Sequence, residues 1–153
     1  MFSQISLLTH HSIEKYIGDW NTSNVTIMNE MFAGAKSFNK PIGDWDVSKV
    51  TDMSWMFAGA KSFNKPIGKW NTSNVTNMQC MFCSAWEFNQ SIGDWDVSKV
   101  TDMIWMFHYA ERFNQPIEED VRSVNKKRGR PKKCTSEVTR VPQYLQEGRS
   151  RWS

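Results

Sequence analysis

Cysteine is scarce in this chain: three residues in 153, two of them spaced as Cys80-Met81-Phe82-Cys83 and the third at Cys134. That is too few and too local for a disulfide scaffold, and it is compatible with a reduced intracellular setting. Long apolar runs are missing too. The opening MFSQISLLTHHSIEKY has no basic lead, a short interrupted apolar run and no small-residue cleavage site, so neither a signal peptide nor a membrane span is expected. No Ser/His/Asp arrangement, paired carboxylate or phosphate loop stands out. With 39% hydrophobic residues the chain can bury one core and perhaps carry an extension. No enzyme, cofactor or metal site is expected. Charge of one sign is unevenly spread: residues 1–117 hold 9 Lys/Arg against 11 Asp/Glu, net −2, whereas residues 118–153 hold 10 against 5, net +5. The whole-chain value of +3 therefore describes neither part.

What the chain does have is a repeat. Ile-Gly-Asp-Trp stands at 17–20, 42–45 and 92–95, and Ile-Gly-Lys-Trp at 67–70, a period of 25. The same spacing recovers Val25, Val50, Val75 and Val100, Met28, Met53, Met78 and Met103, Met-Phe from 31–32 to 106–107, and Phe-Asn from 38–39 to 113–114. A weaker period of 50 lies above it, since NTSNVT occupies 21–26 and 71–76 while DVSKVTDM occupies 46–53 and 96–103. Duplication of a two-repeat unit accounts for both periods.

A fixed period in the twenties marks a solenoid, in which each repeat is one supersecondary unit that cannot bury its apolar side alone. Within the second copy the apolar positions Val50, Met53, Met56, Phe57 and Ala60 fall on a helical stripe. Ser48, like Ser23, Ser73 and Ser98, suits a helix N-cap, and Gly34 and Gly59 suit terminators. The remainder leaves room only for a short extended piece around Ile42, Ile67 and Ile92. The expected fold is an α/β solenoid of leucine-rich-repeat type, with one short parallel strand and one short helix in each of four 25-residue coils. Stacked coils put equivalent residues about 4.8 Å apart. Trp20, Trp45, Trp70 and Trp95 should then stack at one corner, the Phe38 and Phe107 series should fill the interior, and Asn39, Asn64, Asn89 and Asn114 should bond to the backbone of adjacent coils.

Residues 45–60, Trp-Asp-Val-Ser-Lys-Val-Thr-Asp-Met-Ser-Trp-Met-Phe-Ala-Gly-Ala, followed by Phe63-Asn64, resemble the repeat of the BspA-like leucine-rich-repeat surface proteins. The resemblance covers residues 17–117 and implies a non-catalytic, right-handed solenoid used for adhesion or protein–protein contact. Members of that family on cell surfaces usually carry an export or lipid-anchor signal and many more repeats.

Binding surface is expected where the copies disagree, because the fold leaves those positions free. Position 30/55/80/105 reads Glu, Trp, Cys, Trp; position 36/61/86/111 reads Lys, Lys, Trp, Glu; position 34/59/84/109 reads Gly, Gly, Ser, Tyr. Trp55, Trp86, Trp105 and Tyr109 therefore make a candidate protein-binding patch, since large rigid side chains dominate interface energetics. The alternative is that they pack against neighbouring structure. Cys80 and Cys83 invite a metal or redox reading, but a structural zinc site wants four ligands and no second pair exists. A thioredoxin-like motif needs a βαβ context, so the pair reads as a replacement of Trp55 and Ala58. Asn-x-Ser/Thr at Asn21, Asn24, Asn71 and Asn74, and the Asp pairs around Trp45 and Trp95, read as turn chemistry.

Three segments result: a degenerate N-terminal cap at 1–16, the repeat at 17–117, and a basic, largely disordered tail at 118–153 in which the repeat is lost after Val124. Truncation or a frameshift would produce the same end. The uncovered last coil would be open to the tail, to a partner or to a second copy. Within the tail stands Lys126-Lys127-Arg128-Gly129-Arg130-Pro131-Lys132-Lys133, whose core resembles the AT-hook of chromatin-associated proteins. That resemblance implies that the two arginines lie in the narrow minor groove of A·T-rich DNA, where negative potential is enhanced, while the lysines neutralise phosphates. The same run suits a nuclear import address or a solvated tail. The leading expectation is a non-catalytic module that binds an unidentified protein. Its rival is a nucleus-directed protein whose tail contacts A·T-rich DNA.

Overall fold

The computed structural model describes residues 17–116, the four copies of the repeat. Coil 1 covers 17–41, coil 2 covers 42–66, coil 3 covers 67–91 and coil 4 covers 92–116. Each coil lies on the one before it. Thr51, Thr76 and Thr101 donate their backbone N–H to the carbonyls of Thr26, Thr51 and Thr76 at 2.8 Å. Their hydroxyls donate to the same carbonyls at 3.1–3.2 Å. Isolated parallel bridges join Ile27 to Asp52, Asp52 to Asn77 and Asn77 to Asp102.

The expectation of one strand and one helix per coil is overturned, and with it the α/β leucine-rich-repeat plan. Among the described residues the only regular element is a three-residue 3-10 helix, Ile17–Asp19. The stretch read as a helix is a row of tight turns. In coil 2, Met56, Ala58 and Ala60 donate to the carbonyls of Met53, Trp55 and Phe57 three residues back. The alternate N–H groups of Met53, Trp55, Phe57 and Gly59 instead cross to Asn77, Gln79, Met81 and Cys83 of coil 3, at 2.7–2.9 Å. An α-helix needs every N–H for the carbonyl four residues back. Here half of them serve the neighbouring coil. Bonds that reach three residues back still bring apolar side chains to one side at nearly helical spacing, which is why the stripe imitated a helix.

The alternation demands left-handed backbone twice per coil. Trp55 and Gly59 have φ of 58° and 70°, and the equivalent residues Glu30, Gly34, Cys80, Ser84, Trp105 and Tyr109 lie between 52° and 72°. Gly34 and Gly59 therefore serve turns and end no helix. For a residue with a side chain this backbone costs about 1–2 kcal/mol. Glu30 is exposed. Glu30→Gly is expected to raise stability by up to about 1 kcal/mol after allowing for glycine's greater freedom when unfolded. The gain should appear as a higher urea midpoint at unchanged slope; an unchanged or lower midpoint would show that no strain is relieved.

The expected phenylalanine and asparagine ladders are present, while the corner tryptophans stack in two pairs and not as one column of four. Two phenylalanine columns run up the stack. One holds Phe32, Phe57, Phe82 and Phe107 with ring centroids 5.5–5.6 Å apart, and the other holds Phe38, Phe63, Phe88 and Phe113 at 5.6–6.0 Å. Within each coil the two rings face each other at 3.9–4.1 Å. Trp20 stacks on Trp45, and Trp70 on Trp95, at 6.2 Å. Each indole N–H of Trp45, Trp70 and Trp95 donates to the carbonyl of Ile17, Ile42 or Ile67 in the preceding coil, at 2.9–3.2 Å. The side-chain oxygens of Asn39, Asn64 and Asn89 accept the backbone N–H of the next asparagine in the column at 2.9–3.0 Å.

Ser48, Ser98, Ser23 and Ser73 cap no helix. Their backbone N–H groups donate to the side chains of Asp46, Asp96, Asn21 and Asn71 two residues earlier, closing Asx turns. Bonds from the Ser48 and Ser98 hydroxyls and backbone hold the carboxyls of Asp46 and Asp96 below the usual range. The period of 50 also acquires a physical meaning. The hydroxyls of Thr22 and Thr72 donate to the carbonyls of Asp46 and Asp96, while Lys49 and Lys99 donate to the side chains of Asn24 and Asn74 at 2.8 Å. These bonds join coil 1 to coil 2 and coil 3 to coil 4, so the duplicated unit is a bonded pair of coils.

Candidate functional site

The four aromatics expected to form one patch are distributed over separate columns. Trp55, Cys80 and Trp105 occupy one column, in which Trp55 and Cys80 donate backbone N–H to the following coil. Trp105 is 49% exposed, Trp55 is half-buried, and Cys80, in the column between them, is fully buried. Tyr109 is half-buried and belongs to the other left-handed column. His108 joins the two: its ring lies 5.9 Å from Trp105 and 4.1 Å from Tyr109, tilted against both. Burial pushes the His108 imidazole below its ordinary pKa.

Trp86 is 42% exposed and lies in the column of Lys36, Lys61 and Glu111. The ammonium of Lys61, one coil earlier, sits 3.7 Å from the centre of the Trp86 ring. Cation–π contacts of this kind are worth about 0.5–1 kcal/mol at exposed sites. The backbone holds this edge in register, since Glu87 donates to the Lys61 carbonyl at 3.1 Å and Arg112 to that of Trp86 at 3.2 Å. The Arg112 guanidinium pairs with the Glu87 carboxylate at 2.8 Å across the same junction. Both side chains are well exposed, so the pair contributes little to stability.

The sequence reading missed three features. The left-handed backbone was hinted at only by the glycines of the 34/59/84/109 column, because the 30/55/80/105 column contains none. Pairing of His108 with Trp105 and Tyr109, and of Lys61 with Trp86, depends on coil geometry. Ile27, 57% exposed and itself one half of the first bridge, is the apolar member of a column otherwise made of Asp52, Asn77 and Asp102. The Asn-x-Ser/Thr triplets serve turns and ladders: Asn21 and Asn71 close Asx turns, and the Asn74 amide donates to the Ser48 carbonyl at 2.8 Å. Among the described residues, no group of three or more His, Cys, Asp or Glu side chains is placed to hold a metal ion, and no helix is long and apolar enough to cross a membrane. The N-terminal cap at 1–16 and the tail with Lys126, Lys127, Arg128, Gly129, Arg130, Pro131, Lys132 and Lys133 lie outside the described residues.

No curated protein and no solved structure matches the chain. A family model does, over residues 1–129, and the chain thus belongs to the family described as Mycoplasma protein of unknown function, DUF285.

Proposed function

We propose that this chain is a non-catalytic repeat module that binds another protein through the exposed aromatics of coils 3 and 4. One observation carries the reading. Every phenylalanine of coils 1–3 and the tryptophans of the three later corners are buried, yet Trp86 and Trp105 stand 42% and 49% exposed. Trp86, with Lys61 over its ring and the Glu87–Arg112 pair beside it, has the composition of a protein contact with an apolar centre and a polar rim. The likeness of residues 45–60 to BspA-like surface proteins supports an adhesion-type use of such a contact. The rival reading of the tail as an AT-hook is supported only by Arg128-Gly129-Arg130-Pro131 and its basic flanks.

The test is a partner captured by cross-linking to the full chain in cells that express it, followed by titration of the purified pair. Trp86→Ala and Trp105→Ala should each weaken binding by roughly thirtyfold, the loss of about 2 kcal/mol typical of an aromatic hot spot. The unfolding midpoint should change little. Unaltered affinity in both variants would exclude these residues as the contact.

A further inference from the structure

Among the described residues coil 3 alone carries two cysteines, and the fold brings them together across one turn. The backbone N–H of Cys83 donates to the carbonyl of Cys80 at 3.0 Å, closing a four-residue turn over Met81 and Phe82. Such a turn holds its end Cα atoms within about 7 Å, and a disulfide spans about 4.4–6.8 Å. The turn is held firmly. Met81 and Phe82 are fully buried, and Cys80 donates its own N–H to Ile104 of coil 4 at 2.9 Å. Access to the two sulfurs differs: Cys80 is fully buried and Cys83 is only half-buried. Both thiols are free.

We propose that Cys80 and Cys83 form a reversible dithiol–disulfide site that reacts with small-molecule disulfides, with Cys83 as the attacking thiol and Cys80 as the resolving one. The difference in exposure sets these roles: Cys83 is the half-buried sulfur that a reagent can reach, and Cys80 is the buried one. The neighbouring Cys80 side chain lowers Cys83 to about 7 against the opposing effect of burial, and the Ser84 hydroxyl at 3.9 Å lowers it further. The neighbouring Cys83 side chain and burial both push Cys80 up. At neutral pH the proton therefore stays on the inner sulfur and the outer one is nucleophilic.

In the first step the Cys83 thiolate attacks one sulfur of a disulfide RSSR, a bond forms from Cys83 to that sulfur, the S–S bond breaks, and RS⁻ leaves and takes a proton. Cys83 no longer competes for the Cys80 proton once it is in the mixed disulfide. Cys80 then loses its proton to water, attacks the Cys83 sulfur and expels the second RS⁻, which is protonated in turn. The balance is two protein thiols and one RSSR giving one Cys80–Cys83 disulfide and two RSH. The protein is oxidised and the small disulfide is reduced.

The experiment uses the full chain and oxidised glutathione at neutral pH, with remaining thiols blocked and the peptides separated by mass spectrometry so that Cys134 is distinguished. The expected course is a transient glutathione adduct on Cys83, followed by a peptide lacking two hydrogens and linked from Cys80 to Cys83. Iodoacetamide should alkylate Cys83 with a midpoint near pH 7. At that pH Cys83 should react roughly threefold faster than an ordinary thiol, the larger thiolate fraction outweighing its lower intrinsic nucleophilicity. In Cys80→Ala the adduct should persist and the midpoint should rise, while Cys80→Ser, which keeps a donor, should restore the low midpoint without resolving the adduct. An unreacted Cys83, an adduct that never resolves in the unsubstituted chain, a Cys83–Cys134 bond, or alkylation at an ordinary thiol midpoint would each overturn the proposal. The unsubstituted chain decides the question even where a variant fails to fold.

Discussion

Phe82→Ala is expected to cost about 3–5 kcal/mol, enough to remove most of the stability of a domain this size. The ring is fully buried inside one phenylalanine column and faces the other. It stacks on Phe57 below at 5.5 Å, on Phe107 above at 5.6 Å, on Phe88 of its own coil at 3.9 Å and near the indole of Trp95 at 6.3 Å. Alanine removes all four contacts. The backbone cannot close the void, because Phe82 donates its N–H to Met106 of coil 4 at 2.8 Å. Stability in a stacked repeat is a sum of intrinsic and nearest-neighbour terms, so the junctions on both sides of coil 3 weaken together. Urea unfolding should show a midpoint lowered severely, or no folded baseline. Phe113→Ala provides the control, for Phe113 is half-buried and its ring stacks only on Phe88 and Phe107 within the described stack. Equal losses at the two sites would show that burial does not govern the columns.

Gly43→Ala is expected to be the second large effect, and its cause is steric. A Cβ at Gly43 would lie 2.5 Å from the carbonyl oxygen of Pro66, the last residue of coil 2 where the chain passes into coil 3, a backbone atom that cannot swing aside. Coils 2 and 3 would have to separate at this corner, stretching the bond from the Trp70 indole to the Ile42 carbonyl, now 3.2 Å. Overpacking of this kind costs about 1–3 kcal/mol and occasionally more. The other corner glycines predict a graded series. The corresponding distance is 2.7 Å at Gly68, 2.9 Å at Gly18 and 3.6 Å at Gly93. Alanine should therefore be most damaging at Gly43 and nearly harmless at Gly93. Gly34 tests a different cost. Nothing lies within 4 Å of its added Cβ, but its φ of 72° leaves only the left-handed penalty of about 1–2 kcal/mol. Thermal or urea midpoints across these variants would check the ordering, and a flat series would refute the close-approach explanation.

The candidate surface was only partly legible in advance. Variation between repeats singles out Trp86 and Trp105 as aromatics outside the periodic core, and the fold leaves both 42–49% exposed. The same logic selected Trp55, which is half-buried, and grouped four residues that the coil distributes over separate columns. Variation reports freedom from the core and contains nothing about which columns adjoin. The cysteine pair was discounted for want of ligands and of a βαβ setting. Its turn, closed by the 3.0 Å bond from Cys83 to Cys80, emerges only from the coil path.

By itself the sequence determined the period, the four coils, the residues that stack and the asparagine ladder, because a strict 25-residue spacing forces equivalent side chains into columns whatever path the chain takes between them. Only the tertiary structure decided that path. Val50, Met53, Met56, Phe57 and Ala60 fit a helix when read along one coil, since local spacing counts contacts within a segment. The N–H groups of Met53, Trp55, Phe57 and Gly59 bond to coil 3 instead, a partner more than twenty residues away that no local pattern contains. Those cross-coil bonds bend the backbone through left-handed turns at Trp55 and Gly59, and so place both the exposed aromatics and the Cys80–Cys83 turn where they stand.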